Sequence, residues 1–179
     1  MPALVQGEAP HESPTDATVP AFSWSSGRKL SWQDFQGKAP VYEQQHVAAI
    51  TACGIGYYTN SVTARERPAI TVYNSFYIQD SWVRHDVADE RVLQHEQGHF
   101  DLCEIYTRKL RQQFAAANIT GANMKRELAR IYNLVTSEYE ARQQAYEAET
   151  AHGTVTAAQQ RWTMQIQAEL EGSLYWASR

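Results

Sequence analysis

No run of apolar residues in this 179-residue chain approaches the roughly 20 needed to cross a bilayer as a helix, so no transmembrane segment is expected. Positive charge is not in excess either. Lys and Arg number 16 against 20 Asp and Glu, a formal net charge of -4, and no basic stripe emerges, so a nucleic-acid partner is not expected. The densest basic cluster, Arg108-Lys109-Leu110-Arg111, reads as the solvated face of a helix. Cysteine is scarce. Cys53 and Cys103 are too few for a disulfide framework and read as buried thiols, with their pairing left open. No charged n-region followed by an apolar h-region marks a secretory signal at the start.

What is present divides the chain in two. Four of the six prolines fall at Pro2, Pro10, Pro14 and Pro20 among Glu, Ser, Thr and Asp, so residues 1–20 read as a disordered leader. Residues 21–179 hold enough apolar positions for a single core. From Phe22 to Gln79 the pattern is strand-like: Leu30 and Trp32 alternate with polar neighbours, and Val47 to Thr59 is β-branched and aromatic. Gly54 and Gly56 suggest a bulge or a close approach there. The clearest strand puts Ile70, Val72, Phe76 and Ile78 on one side of a period-two run. After Trp82 the period becomes helical. Asp86 is the expected N-cap of a first helix, and Val92, His95, His99, Cys103, Tyr106 and Leu110 share its stripe. A second helix is expected from about Ala122 to Ala151, ended by Gly153, and Thr156 with Gln159 reads as the capping box of a third. Strands first and helices after define an α+β fold: an N-terminal antiparallel sheet, then about three helices.

The segment His95-Glu96-Gln97-Gly98-His99 carries the chemistry. Histidines four apart on a helix stand one turn above each other and can share one metal ion, while the intervening glutamate can serve a water beside it. A chance HExxH occurs in on the order of one chain in several hundred, so the bare pattern does not decide the matter. Placement helps: both histidines align with Val92, Cys103 and Leu110, not with the charged face. Gly98 in mid-helix suggests that another backbone, such as the sheet, packs close there. A catalytic zinc site takes three protein ligands. Glu138, Glu149 and His152 on the second helix compete for the third place, and periodicity leaves all three open.

Three segments occur in order: Leu30-Ser31-Trp32-Gln33-Asp34-Phe35-Gln36-Gly37, then His95 through Phe100-Asp101, then Tyr146-Glu147-Ala148-Glu149-Thr150-Ala151-His152-Gly153 followed by Gln160 and Trp162. Together they resemble the bacterial family called domain of unknown function 922, described as secreted or periplasmic zinc-dependent peptidases. The resemblance implies a zincin-like metallopeptidase over residues 21–179, a zinc cofactor, a peptide or protein substrate, and a periplasmic or secreted location. It also implies His152 as the third ligand beside His95 and His99. The family's tyrosine-aspartate pair stands here as Tyr146-Glu147, and no role is assigned to that carboxylate.

On this reading Glu96 is the general base of a hydrolase. Tyr139 and Tyr146 read as core, and Asp101 and Glu104 as supporting groups rather than ligands. The strand Ala69–Gln79, were it an edge, could pair with an extended substrate. Two rivals remain at this point: a zinc-stabilised binding module without turnover, and an envelope interaction protein built on an inactive zincin fold.

Overall fold

The computed structural model describes residues 20–41 and 47–178. The expected leader, residues 1–20, lies outside these except for Pro20. Five strands precede three helices, giving the α+β class. The strands are β1 (Ala21–Phe22), β2 (Ala49–Ile50), β3 (Cys53–Thr59), β4 (Ile70–Tyr77) and β5 (Trp82–Val83). The helices are α1 (Glu90–Ala116), α2 (Met124–Thr150) and α3 (Thr156–Gly172). β4 lies between β1 and β3 in an antiparallel three-stranded sheet, and β2 pairs with β5 in a two-stranded one. No helix among the described residues is long and apolar enough to cross a membrane.

The period-two reading of β4 holds, since Val72, Asn74 and Phe76 are buried on one face. Its expected role as an edge strand does not. β4 is central, and the free edge of β3 lies under α2, where the Tyr132 hydroxyl donates to Ile55 O at 2.9 Å. Gly54 and Gly56 are close-approach glycines. A Cβ on Gly56 would fall 2.5 Å from the ring of Tyr73, its cross-strand partner. Leu30 and Trp32 are not in a strand. Asp34 accepts from the Ser31 backbone N–H at 2.8 Å and closes a 3-10 turn over Trp32–Asp34, because local side-chain bonding outcompetes extension.

Helix α1 begins three residues later than expected. Asp89, not Asp86, is its N-cap, because its carboxylate reaches the Arg91 and Val92 N–H groups. Asp86 sits instead in the turn that precedes it, where Val87 N–H donates to Arg84 O. The helix then runs between the sheet and the other two helices. Phe76, Phe100, Leu110, Phe114 and Val135 fill the main core, and Leu102, Tyr146, Trp162 and Ile166 a second one under α3.

The basic cluster on α1 is not a solvated face. Arg108 is 1% exposed. It donates to Glu104 Oε1 at 2.7 Å and to Leu170 O at 2.6 Å, tying α1 to the end of α3. Arg111 donates to Val72 O and Trp176 O, and the other Glu104 oxygen accepts from Asn74 Nδ2. Truncating one partner of such a pair strands the other charge in the interior. Arg108→Ala is therefore expected to lower stability by about 3–5 kcal/mol, measured as a fall in the midpoint of denaturant unfolding.

Candidate metal centre

The 3.6-residue repeat of α1 stacks His95 and His99 on the face turned toward α2, with ring centroids 4.6 Å apart and planes nearly perpendicular. Opposite them α2 presents Glu147. Its Oε2 lies 3.1 Å from His95 Nε2 and 3.0 Å from His99 Nε2, and the two Nε2 atoms are 3.1 Å apart. Three donors thus form a nearly equilateral triangle. Tetrahedral zinc with bonds of 2.0–2.1 Å separates its ligand atoms by about 3.3 Å, so these positions fit an ion to within a few tenths of an ångström. The group His95, His99 and Glu147 can hold a metal ion.

Each imidazole is oriented from behind. Gln159 Nε2 donates to the Tyr146 hydroxyl, which leaves Gln159 Oε1 to accept from His95 Nδ1–H at 3.1 Å. Gln143 Nε2 donates to His99 O and to the Tyr139 hydroxyl, which leaves its Oε1 to accept from His99 Nδ1–H at 2.6 Å. When neutral, both rings are thereby held in the tautomer that points a bare Nε2 at the shared centre, as metal-binding histidines require. Tyr146 also stacks on His95, with centroids 4.7 Å apart and planes 18° from parallel, and donates to His95 O.

The electrostatics agree with the geometry. Burial disfavours a charged His99, yet the hydrogen bond it donates to Glu147 and the fields of Glu96 and Glu147 outweigh it and raise its pKa to about 9. Glu147 is opposed by its own burial too, but the two imidazoles beside it hold its carboxyl well below the usual range. Without a metal, a proton therefore sits where a cation would.

The sequence-derived residues fall into place unevenly. His95 is 1% and Glu96 3% exposed. Glu96 Oε2 is buried and has no hydrogen-bond partner among the described residues, and Glu96 forms no ion pair there. His152, expected as third ligand, is not one of the three converging donors; its Nδ1 meets Oε1 of Glu147, the carboxylate's other oxygen. A left-handed turn carries it there, with φ of 45° at Ala151, 58° at His152 and 79° at Gly153. The expected C-cap glycine is thus the third residue of that turn, and a Cβ on it would come 2.9 Å from His95 Cβ. Glu138 pairs with Lys109 and Glu149 accepts from Trp162 Nε1, so neither reaches the centre.

The sequence reading missed Glu147, Gln143 and Gln159. Gln159 was read as half of a capping box, but the cap of α3 makes no side-chain bond and this side chain turns inward to His95. Gln143 and Glu147 stand four apart with Tyr139 four before, a polar i, i+4 ladder matching the histidine spacing on α1. That ladder was the available signal.

Residues 74–153 match a family described as "Bacterial protein of unknown function (DUF922)". The matched stretch runs from within β4 to the left-handed turn and contains all three donors, Glu96 and His152. No curated protein and no solved structure matches the chain.

Gly98 lies where the Tyr146 ring of α2 packs on α1. A Cβ there would fall within 2.2 Å of the Tyr146 hydroxyl, so a tyrosine, not the sheet, occupies the space. Gly98→Ala is expected to push Tyr146 off His95 and cost about 1–3 kcal/mol of stability, read by thermal unfolding. An unchanged midpoint would mean the ring has room to retreat.

Proposed function

We propose that this protein is a zinc-dependent peptidase in which His95, His99 and Glu147 hold the metal and Glu96 is the general base. The observation that carries catalysis rather than structural metal binding is the buried Glu96 carboxylate with its unpartnered Oε2. Interior carboxylates normally have their lone pairs matched, and an oxygen left open beside a metal centre is suited to accept a proton. The donor set supports zinc: two imidazoles and a carboxylate are a catalytic set, whereas purely structural sites generally have four protein ligands and are rich in cysteine. A bound zinc ion would supply Lewis acidity, acidifying water and polarising a carbonyl.

The chain's own residues do the rest. Gln143 and Gln159 hold the imidazoles in register. Glu96 takes a proton at Oε2 from the attacking water and returns it to the departing nitrogen, so that the amide leaves as a neutral amine. His152, against the outer oxygen of Glu147, keeps that carboxylate turned so that Oε2 faces the histidines. This reading moves His152 from ligand to the partner of a ligand. A periplasmic or secreted location follows the family resemblance and is part of the same proposal.

Metal analysis together with cleavage of a quenched fluorescent peptide mixture tests the proposal. Glu96→Gln is expected to keep stoichiometric zinc while lowering kcat by about 10²–10⁴-fold. A parent chain that binds no zinc, or a Glu96→Gln variant as active as the parent, ends the reading. Glu147→Ala should lose stoichiometric zinc, whereas His152→Ala should weaken it by about 10–100-fold; the reverse order would return His152 to the ligand set.

Zinc binding should also release a proton. Below about pH 9 His99 is charged in the metal-free protein, so zinc must displace that proton. Affinity is expected to rise about tenfold per pH unit from neutrality and to flatten above about pH 9. Calorimetric titration in two buffers of different ionisation enthalpy counts the proton directly.

A further inference from the structure

Behind the metal centre, where β3 packs on α1, the two cysteines meet. Cys103 Sγ lies 3.5 Å from the carbonyl oxygen of Gly54, the residue after Cys53. Cys53 Sγ lies 3.8 Å from the carbonyl oxygen of His99, one helical turn before Cys103. Each sulfur thus touches the backbone of the segment that carries the other. Both are free. Cys103 is completely buried, whereas Cys53 retains partial exposure.

Cys53 is also wired to a proposed metal ligand. Its thiol lies 3.3 Å from the Tyr139 hydroxyl, which accepts from Gln143 Nε2 at 2.8 Å, and Gln143 Oε1 holds His99 Nδ1. The path from sulfur to imidazole has two intermediates, and both are buried or half-buried side chains of α2.

The geometry points to Cys53 and Cys103 as an oxidisable pair whose disulfide staples β3 to the HExxH helix and changes how His99 is held. The oxidant is a small disulfide such as glutathione disulfide. The Cys53 thiolate attacks one of its sulfurs and expels one thiol, leaving a mixed disulfide on Cys53. The Cys103 thiolate then attacks the Cys53 sulfur, forming the protein disulfide and expelling the second thiol. The two protons from the cysteines end on the two released thiols, and the two electrons from the protein reduce the reagent. Closing the S–S bond consumes the Cys53 thiol that meets the Tyr139 hydroxyl, and so alters the path from that hydroxyl through Gln143 to His99.

The test equilibrates the full chain with glutathione disulfide, quenches with an alkylating reagent, and reads intact mass and linked peptides. The expected product is the chain lighter by two hydrogens, with the Cys53 and Cys103 peptides joined. Cys103→Ser should instead trap glutathione on Cys53, and Cys53→Ser should stay unmodified. A wild-type chain whose two thiols are both still alkylated after unfolding overturns the pair, as does glutathione stably carried on Cys53 in the wild type.

The link to His99 rests on the zinc reading and has its own measurement. The oxidised chain should bind zinc about tenfold more weakly than the reduced chain, and equal affinity in the two forms overturns the link. Should the disulfide form while neither redox state binds zinc, the dithiol stands and the metal reading falls.

Discussion

The carboxylate of Glu147 lodged between two imidazoles is the interaction on which the site depends, because among the described residues it alone brings an α2 donor atom to both histidines of α1 at their Nε2 atoms. The histidines alone define only a direction along one helix. Glu147 supplies the third donor, fixes the helix pair in rotation, and through its second oxygen gathers the turn that ends α2. That turn needs three successive residues at positive φ, two of them not glycine, a conformation L-residues adopt only when their surroundings compel it. The strain sits beside the candidate metal centre, where it carries His152 to Glu147, and Gly153 closes the turn by letting the chain pass against His95.

Helix α1 buries an unusual number of polar and charged groups, and their partners separate structural roles from the proposed catalytic one. Glu104 and Arg108 answer each other, Asn74 and the end of α3, and Asp101 accepts from Trp24 and Gln97. Three buried side-chain atoms among the described residues lack a hydrogen bond, and they are not equivalent. Glu138 has the Lys109 ammonium beside it, and Arg142 is paired with Glu169 and stacked over Trp162. Glu96 alone has neither ion pair nor hydrogen bond on its open oxygen. An interior that satisfies nearly every charge makes the exception informative.

The sheet-then-helices order was legible in the sequence, as were β4, α1 and the histidine pair, because each rests on a sustained period. The third donor was not, for a reason tied to one step along α2. After Val135 the apolar stripe can continue to Glu138 at i+3 or to Tyr139 at i+4. Taking the first leads to Glu138 and Glu149, two of the candidates that periodicity left open. The structure takes the second, burying Tyr139, Tyr146 and Thr150 and turning Gln143 and Glu147 toward α1. A rotation of a fraction of a turn on a 27-residue helix exchanges one set of carboxylates for another. The burial of Arg108 was hidden because α3, which covers it beside its own helix neighbour Glu104, comes from far away in the chain. Leu30 and Trp32 failed differently, since two alternating residues cannot outweigh a side chain that caps its own turn.

The seven-residue run His95 to Asp101 also explains why it is more specific than HExxH alone. His95 and His99 face α2, and Glu96 is buried with one oxygen that has no hydrogen-bond partner among the described residues. Gln97 turns to the opposite side, accepting from Leu30 N–H and donating to Asp101, which in turn accepts from the Trp24 indole. Gly98 admits the Tyr146 ring, and Phe100 packs on Phe22 and Phe76. The run is therefore held from two sides: by α2 and α3 on the proposed catalytic side, and by the N-terminal segment on the other. A chance HExxH must meet three identities, whereas this run must also fit the packing of the N-terminal segment and of α2. The segment around Trp24 and Leu30, remote from the metal centre in sequence, thereby clamps the helix that carries it, and the motif reads as a joint between the N-terminal segment, α1 and α2 as much as a set of ligands.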